Sequence, residues 1–354
     1  MSTVIAVDVM GGDHAPHAPL LGVKRAASLF PGTQFLLFGP EELLEDFLKE
    51  NPELVEFCEV FHAPERVLNE TPAREAVRSL KGSSMRLAIE SVAEGRAQGV
   101  VSGGNTGAYM ALSKILLKTL EDIDRPAIVG TLPTQKGSCV MLDLGANVEA
   151  TPAQLCQFAQ MGEAFSKYVL GTESPSVGLL NIGSEDLKGH ATLKETQEMI
   201  RSQQVVSNFY GFVEGDDIMG GTTDVVVTDG FTGNVALKSM EGAVYFLLDA
   251  FKSHIKGSFL AKCGALLARG AFGGLRKRFD PRLHNGAPFL GLRGVAVKSH
   301  GGMDEVGFAN ALGVAINMIQ HDLNDHILEE VRRVQGKLAQ EIDSTLQSTT
   351  SGLD

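Results

Sequence analysis

Seven side chains in this sequence stand where their chemistry could act on an anion. Lys188 follows Asn181-Ile-Gly-Ser-Glu-Asp186, and a cation in a short polar loop can neutralise phosphate or a developing oxyanion. Asn234 ends Asp229-Gly-Phe-Thr-Gly-Asn234, where its amide can donate to a phosphate or a carbonyl, or cap a helix. His14 and His300 are candidates for proton handling near neutral pH, with a hydrogen-bonded structural role as the alternative. Asp8, Asp143 and Asp229 lie in or at the end of apolar runs, so they are not scattered surface carboxylates if those runs are buried strands. They either orient the lysine and histidines or cap turns.

These groups share one kind of neighbourhood, a strand that ends in a glycine turn. The run Thr3 to Val9 leads into Gly11, Gly12, Asp13 and then Pro16, which can open a helix. Val100-Val-Ser leads into Gly103, Gly104, Asn105 and Thr106, and Leu179-Leu-Asn-Ile into Gly183 and Ser184. Val225-Val-Val-Thr-Asp leads to Gly233 and Asn234. Glycine lets backbone approach a ligand, and a helix starting just beyond presents free N–H groups and a positive dipole end. The last three turns, at the carboxyl ends of parallel strands, predict one composite anion site. No Walker A loop, no GxGxxG after the first strand, no Gly-x-Ser-x-Gly elbow and no HExxH is present. Neither a nucleotide cofactor nor a required metal is expected.

Apolar β-rich runs at 33–38, 54–61, 99–102, 127–132, 138–142, 176–182 and 224–228 alternate with helical patterns at 19–29, 41–50, 73–80, 84–94, 108–120, 152–170, 192–203 and 233–251. Several strands are continuously apolar, as strands covered on both faces are. The expectation is an α/β, Rossmann-like, mostly parallel sheet in one catalytic domain, 1–340. Residues 62–72 form a proline-bounded loop before Arg74 and Arg78, read either as a functional loop or as a surface connection. Residues 341–354 read as a polar, disordered tail.

The chain has 354 residues, 44% of them hydrophobic, and a net charge of −12, which disfavours nucleic acid. Cys58, Cys139, Cys156 and Cys263 have no paired spacing and read as reduced thiols of a cytoplasmic protein. No signal peptide and no membrane-spanning run is expected. Between Lys252 and Lys298, ten Lys or Arg stand against one acidic residue, Asp280. A basic window in an acidic chain suggests an acidic partner or an anionic membrane surface.

Six segments in order carry a resemblance: Ile5-Ala-Val-Asp-Val-Met-Gly-Gly-Asp-His-Ala-Pro16, Ser102-Gly-Gly-Asn-Thr-Gly107, Leu142-Asp-Leu-Gly-Ala-Asn147, Asn181-Ile-Gly-Ser-Glu-Asp186 with Lys188-Gly189, Asp229-Gly-Phe-Thr-Gly-Asn234, and Ser299-His-Gly301. The chain, from near residue 3 to about residue 320, resembles the bacterial phosphate acyltransferases of phospholipid synthesis, the PlsX family. Gly302-Met303 departs from the small polar residues expected there. The resemblance implies a fold like that of phosphotransacetylases and isocitrate-dehydrogenase-like enzymes. It implies transfer of a fatty acyl group from acyl-carrier protein to inorganic phosphate, giving acyl phosphate, with no cofactor. It assigns the lysine role to Lys188. It further implies a homodimer, peripheral contact with the inner face of the cell membrane, and a downstream glycerol-3-phosphate acyltransferase. The alternatives are a soluble acyl-CoA-dependent phosphotransacylase and a non-catalytic scaffold of lipid synthesis.

The basic window also has an amphipathic pattern. Lys262, Arg269 and Arg276 are seven apart, and Phe259, Leu260, Cys263, Leu266 and Leu267 fall on a neighbouring face. That suits an interfacial helix, or a dimer or core helix with a solvated basic face. Gly270, Gly273 and Gly274 suggest a bend, hence a helical hairpin over about 255–282. The resemblance favours membrane contact, and the same surface could meet the acidic carrier.

Overall fold

The computed structural model describes the backbone of residues 2–270, 273, 274 and 280–350, and the side chains of these except 259 and 337–350. Eleven strands form one sheet: β1 Val4–Asp8, β2 Gln34–Gly39, β3 Cys58–His62, β4 Gly99–Ser102, β5 Ala127–Thr134, β6 Gly137–Leu142, β7 Val177–Leu180, β8 Phe209–Val213, β9 Val225–Val227, β10 Ala287–Leu290 and β11 Val295–Lys298. Their order is β3-β2-β1-β4-β11-β10-β5-β6-β9-β7-β8. The first five are mutually parallel, and so are the last four. Between them β10 pairs antiparallel with both β11 and β5, and β5 antiparallel with β6. Three direction changes leave the second parallel block running opposite to the first.

The strands are apolar on both sides because helices cover both faces. Ile5 and Val7 pack into one core cluster, while Ala6, one residue away, packs into the other. The helices His17–Leu29 and Glu305–Gln320 lie against each other on the first of these faces. Contact there is close enough that a Cβ on Gly22 would stand 2.9 Å from Phe308. The helix Pro152–Ala164 opens with a capping box, Thr151 with Gln154, and loosens into a π-helical turn at Phe165–Val169.

The eight strands and eight helices expected from sequence are all present, with shifted ends. Strands β8, β10 and β11 and the helices Gly215–Gly220, Glu305–Gln320 and Leu323–Thr350 were not among them. The last helix carries the backbone through 341–350, where a disordered tail is expected from the sequence; no Gly or Pro interrupts that stretch before Gly352. Residues 351–354 lie outside the described residues.

The long helix runs Gly230–Gly257 and buries only Gly230 and Gly233. Ser258 then turns the chain and caps a second helix, Phe259–Leu267, which folds back against the first. The hairpin therefore includes the end of the long helix and begins before residue 255. Tyr245, Phe246, Leu247, Phe251, Leu260, Leu266 and Leu267 are all exposed on it, Leu267 at 89%. Lys262 and Arg269 are exposed as well. Arg276 lies outside the described residues, as does the side chain of Phe259. Among the described residues no helix is long and apolar enough to cross a membrane.

Candidate active site

Parallel register puts Asp8, Ser102 and Lys298 side by side at the carboxyl edge of the first block, since Asp8 and Lys298 both pair with Ser102. All three are buried. Asp8 accepts hydrogen bonds of 2.6 Å from both Ser84 and Ser102 hydroxyls. Burial raises its pKa, and those hydroxyls pull the other way. The Lys298 ammonium donates to the Gly103 carbonyl at 3.2 Å and to the Ser299 carbonyl. Burial lowers its pKa to about 8 against the opposing pull of Asp8 and Asp13.

Three turns interlock above this row. A Cβ on Gly103 would stand 2.8 Å from the Gly11 carbonyl, and Gly12 has φ of 112° close to the Gly301 carbonyl. A shallow pocket results, lined by Gly11, Gly12, His14, Gly103, His300 and Met303 among others. Gly104 donates to Ser102 Oγ at 3.1 Å. His14 is exposed. His300 receives a hydrogen bond on Nδ1 from the Gly302 N–H at 3.2 Å, and its backbone N–H donates to Asn285 Oδ1 at 2.9 Å. Partial burial, then the Lys298 and Lys238 cations, lower its pKa. Where the sequence departs from the expected pattern, Gly302 thus serves His300 and Met303 lines the pocket.

The loop 62–72 is docked on this edge. Asn69 donates to Asp13 Oδ1 at 2.7 Å, and Asn105 donates to the Asn69 and Thr71 carbonyls at 2.7 and 3.0 Å. Asn105 also accepts from Ala108 and so caps the helix Thr106–Leu117. Arg74 and Arg78 beyond it are exposed.

The second block has its own edge. Asp143 is fully buried and its two oxygens accept from the N–H groups of Ile128, Gly145, Ala146 and Asn147 and from the Asn147 amide. Of the roles open to it from sequence, it fills that of turn cap. Asp229 caps the long helix by accepting from Thr232 N–H and Oγ1. Asn234 is therefore inside that helix, not at its cap, and is exposed beside Gly145. The helix starts three residues before the sequence reading placed it, because Asp229 and not Asn234 supplies the capping oxygen. Gly233 is buried where the helix touches the sheet edge.

Lys188 is half-exposed and pairs with Glu185 at 3.0 Å. Its loop is held from beneath by Asn181, which is buried and donates to the Gly183 and Lys188 carbonyls at 3.1 and 3.3 Å. Gly183 is buried under the Lys188 stem and Ser184 is exposed.

The predicted glycine turns thus sort into two groups. Gly103 and Gly104 join Gly11, Gly12, Asp13 and His300, while Gly183 and Gly233 lie with Asp143, Asp229 and Asn234 on the reversed block. The pairings Phe289 with Ile128 and Val129 with Leu142 nonetheless place Leu142 level with Pro288 and hence with Val297. The two carboxyl edges meet at one level near mid-sheet, from opposite directions. Three strand spacings, ~14 Å, separate β11 from β6. The long helix starts on the second edge, and its Lys238 and Glu241 act electrostatically on His300 of the first. Lys298, Ser84 and Asn285 were missed from sequence. The available signal for Lys298 was a lysine closing an apolar run immediately before Ser299-His300.

The chain is similar to known proteins over nearly its whole length. The family described as "Fatty acid synthesis protein" matches residues 3–326. A phosphate acyltransferase of Rhodospirillum centenum is 51% identical over 94% of both chains, and one of Paramagnetospirillum magneticum is 49% identical over 94% of this chain and 95% of its own. Among solved structures, a phosphotransacetylase from Streptococcus pyogenes aligns with a TM-score of 0.60 at 14% identity, covering 90% of this chain and 94% of that one. The EutD phosphotransacetylase from Staphylococcus aureus aligns at 0.55 and 13%, covering 89% and 93%. At such identities they establish the shared fold. With half of its residues matched across nearly the whole length of those relatives, the chain belongs to the family of the phosphate acyltransferases.

Proposed function

We propose that the protein transfers a fatty acyl group from acyl-carrier protein to inorganic phosphate. The observation that carries this reading is the pair of edges brought to one level, each lined by glycine turns, with the half-exposed Lys188 on the second. A phosphate oxygen, already anionic at neutral pH, attacks the thioester carbonyl. The C–O bond forms, the C–S bond breaks, and the carrier thiolate takes up the proton that hydrogen phosphate gives up. In this reading the Gly11–Gly12 and Gly103–Gly104 turns with His14 and His300 hold phosphate. Lys188 and Asn234 stand on the other edge for the carbonyl oxygen as it gains charge.

Direct attack is favoured over a cysteine acyl-enzyme. Burial pushes the thiols of Cys58, Cys139 and Cys156 up to about 12, where thiolate is scarce. Cys263 is exposed, but on the hairpin.

The test is turnover of long-chain acyl-carrier protein by the full chain, with and without phosphate, following acyl phosphate and free carrier. Phosphate-dependent product is expected, with acyl-carrier protein preferred to acyl-CoA. A preference for acyl-CoA would support the soluble phosphotransacylase instead, and no product from folded protein would support the scaffold.

The proposed partners follow from the same reading. The exposed apolar and basic hairpin fits peripheral contact with anionic lipid at the inner face of the cell membrane, in a cytoplasmic homodimer. Acyl phosphate is a reactive mixed anhydride, suited to prompt use by a glycerol-3-phosphate acyltransferase. The double change Leu266→Glu and Leu267→Glu is expected to release the protein from anionic vesicles in a flotation assay and to leave turnover of soluble substrate within about twofold. Equal loss of both, in a variant that still folds, would place the hairpin in the catalytic reaction.

A further inference from the structure

We propose that Lys298 is a positioning residue that fixes His300 as a neutral imidazole with its proton on Nε2, an N–H donor for the phosphate assigned to this pocket. The inference rests on the phosphate-binding role proposed above, but its geometry does not depend on the acyl donor.

Two groups select that state. The Gly302 N–H points at Nδ1 from 3.2 Å, so Nδ1 is an acceptor and the single ring proton of the neutral form must sit on Nε2. Protonating Nδ1 would set two donors against each other. The second group is the Lys298 ammonium, two residues away and buried beneath the same turn. It is tied to the carbonyls of Gly103, which lines the pocket, and of Ser299, the residue before His300. Partial burial already disfavours a charged ring, and a second positive charge beside Lys298 is disfavoured further.

The other charges facing His300 do not reverse this balance. Lys238 from the long helix adds to the effect of Lys298, while Glu241 on the same helix and Asp13 from the first turn oppose it. The net direction is toward the neutral ring. The Asp8 and Asp13 carboxylates favour the charged form of Lys298 against its burial, and Asp8 is in turn fixed by Ser84 and Ser102. The row Asp8–Ser102–Lys298 therefore has a task beyond packing. It places a positive charge that never meets the ligand where it sets the form of a side chain that does. A neutral donor can bind a phosphate oxygen across the neutral range without changing its own charge. It also cannot serve as the general acid for the leaving thiolate.

The experiment is a ¹⁵N titration of the nine histidines in the full-length protein, without substrate, with His300 assigned from the spectrum of His300→Gln. At pH 7 His300 is expected as the neutral Nε2–H tautomer. Its resonances should show a second inflection near pH 8 as Lys298 discharges. In Lys298→Met the imidazole titration should move upward, and the acid limb of kcat/KM for phosphate should move up with it. In Lys298→Arg both should stay near the wild type. An Nδ1–H or doubly protonated ring at pH 7 in the wild type overturns the proposal. So does an unmoved titration in Lys298→Met, which would leave Lys298 a purely structural tie. If Lys298→Met does not fold, the wild-type titration still decides: Lys298 must discharge between about pH 8 and its ordinary value of 10.5, and the absence of any second inflection across that range is incompatible with coupling. Failure to turn over acyl-carrier protein would sink the substrate reading and leave these spectra unaffected.

Discussion

Lys188→Ala is expected to lower kcat about a hundredfold while KM for the carrier changes little. Loss of one electrostatic donor to a developing oxyanion costs roughly 2.7–4 kcal/mol of barrier. The lower end applies because Lys188 is half-exposed and shares its charge with Glu185 at 3.0 Å, so water and the carboxylate both weaken it. The loop itself should survive the change, since Asn181 and not the lysine side chain holds the Gly183 and Lys188 carbonyls. Steady-state kinetics on folded variants provide the check, with Lys188→Arg as a partial rescue that keeps the charge. A change of less than threefold in Lys188→Ala would remove Lys188 from the chemistry and leave the first edge to act alone.

The second large effect is on stability. In Gly233→Val the first added carbon alone would overlap the Asp143 carbonyl, which is backbone and cannot swing aside. Overpacking of this kind costs typically 1–3 kcal/mol, and the upper end is expected because Asp143 is held by five hydrogen bonds to its carboxylate. Gly242 on the same helix offers the contrast, since a Cβ there meets nothing within 4 Å. Gly242→Ala should be stabilising by up to about 1 kcal/mol, from helix propensity alone. Denaturant midpoints of the two variants should move in opposite directions. A Gly233→Val protein as stable as wild type would mean that the long helix is not seated against β6 as described.

The alternation of strands and helices was legible because buried parallel strands are apolar on both sides and glycine turns punctuate them. The ends of the first four helices were readable to within a few residues. What escaped was the junction. Strand β10 is four residues with Pro288 inside it, and β11 is four residues ending in a lysine, so neither has a pattern that distinguishes it from loop. Yet these two strands, with β5, reverse the direction of the sheet. Without them the glycine turns look like one set, and the division into two edges cannot be inferred. The roles of the aspartates divided similarly. That Asp8, Asp143 and Asp229 were not idle surface groups could be read from their apolar surroundings. Which of them faces a lysine and which caps a turn depends on neighbours distant in sequence, such as Ser84 for Asp8 and Ile128 for Asp143. Lys298 was hidden by its company, one more positive charge in a basic window whose other described members are largely exposed.

The long helix also imposes a rule on how its length can vary. From Asp229, which caps it, to Lys238 and Glu241, which act electrostatically on His300, the number of residues is fixed. Inserting one residue there would rotate everything beyond by ~100° and carry both charges off that edge. Past Gly242 no residue of the helix is buried, so no such phase has to be kept. Insertions and deletions among relatives should therefore be absent from the first three turns and tolerated toward the tip, where the hairpin can lengthen or shorten while the two edges stay in register.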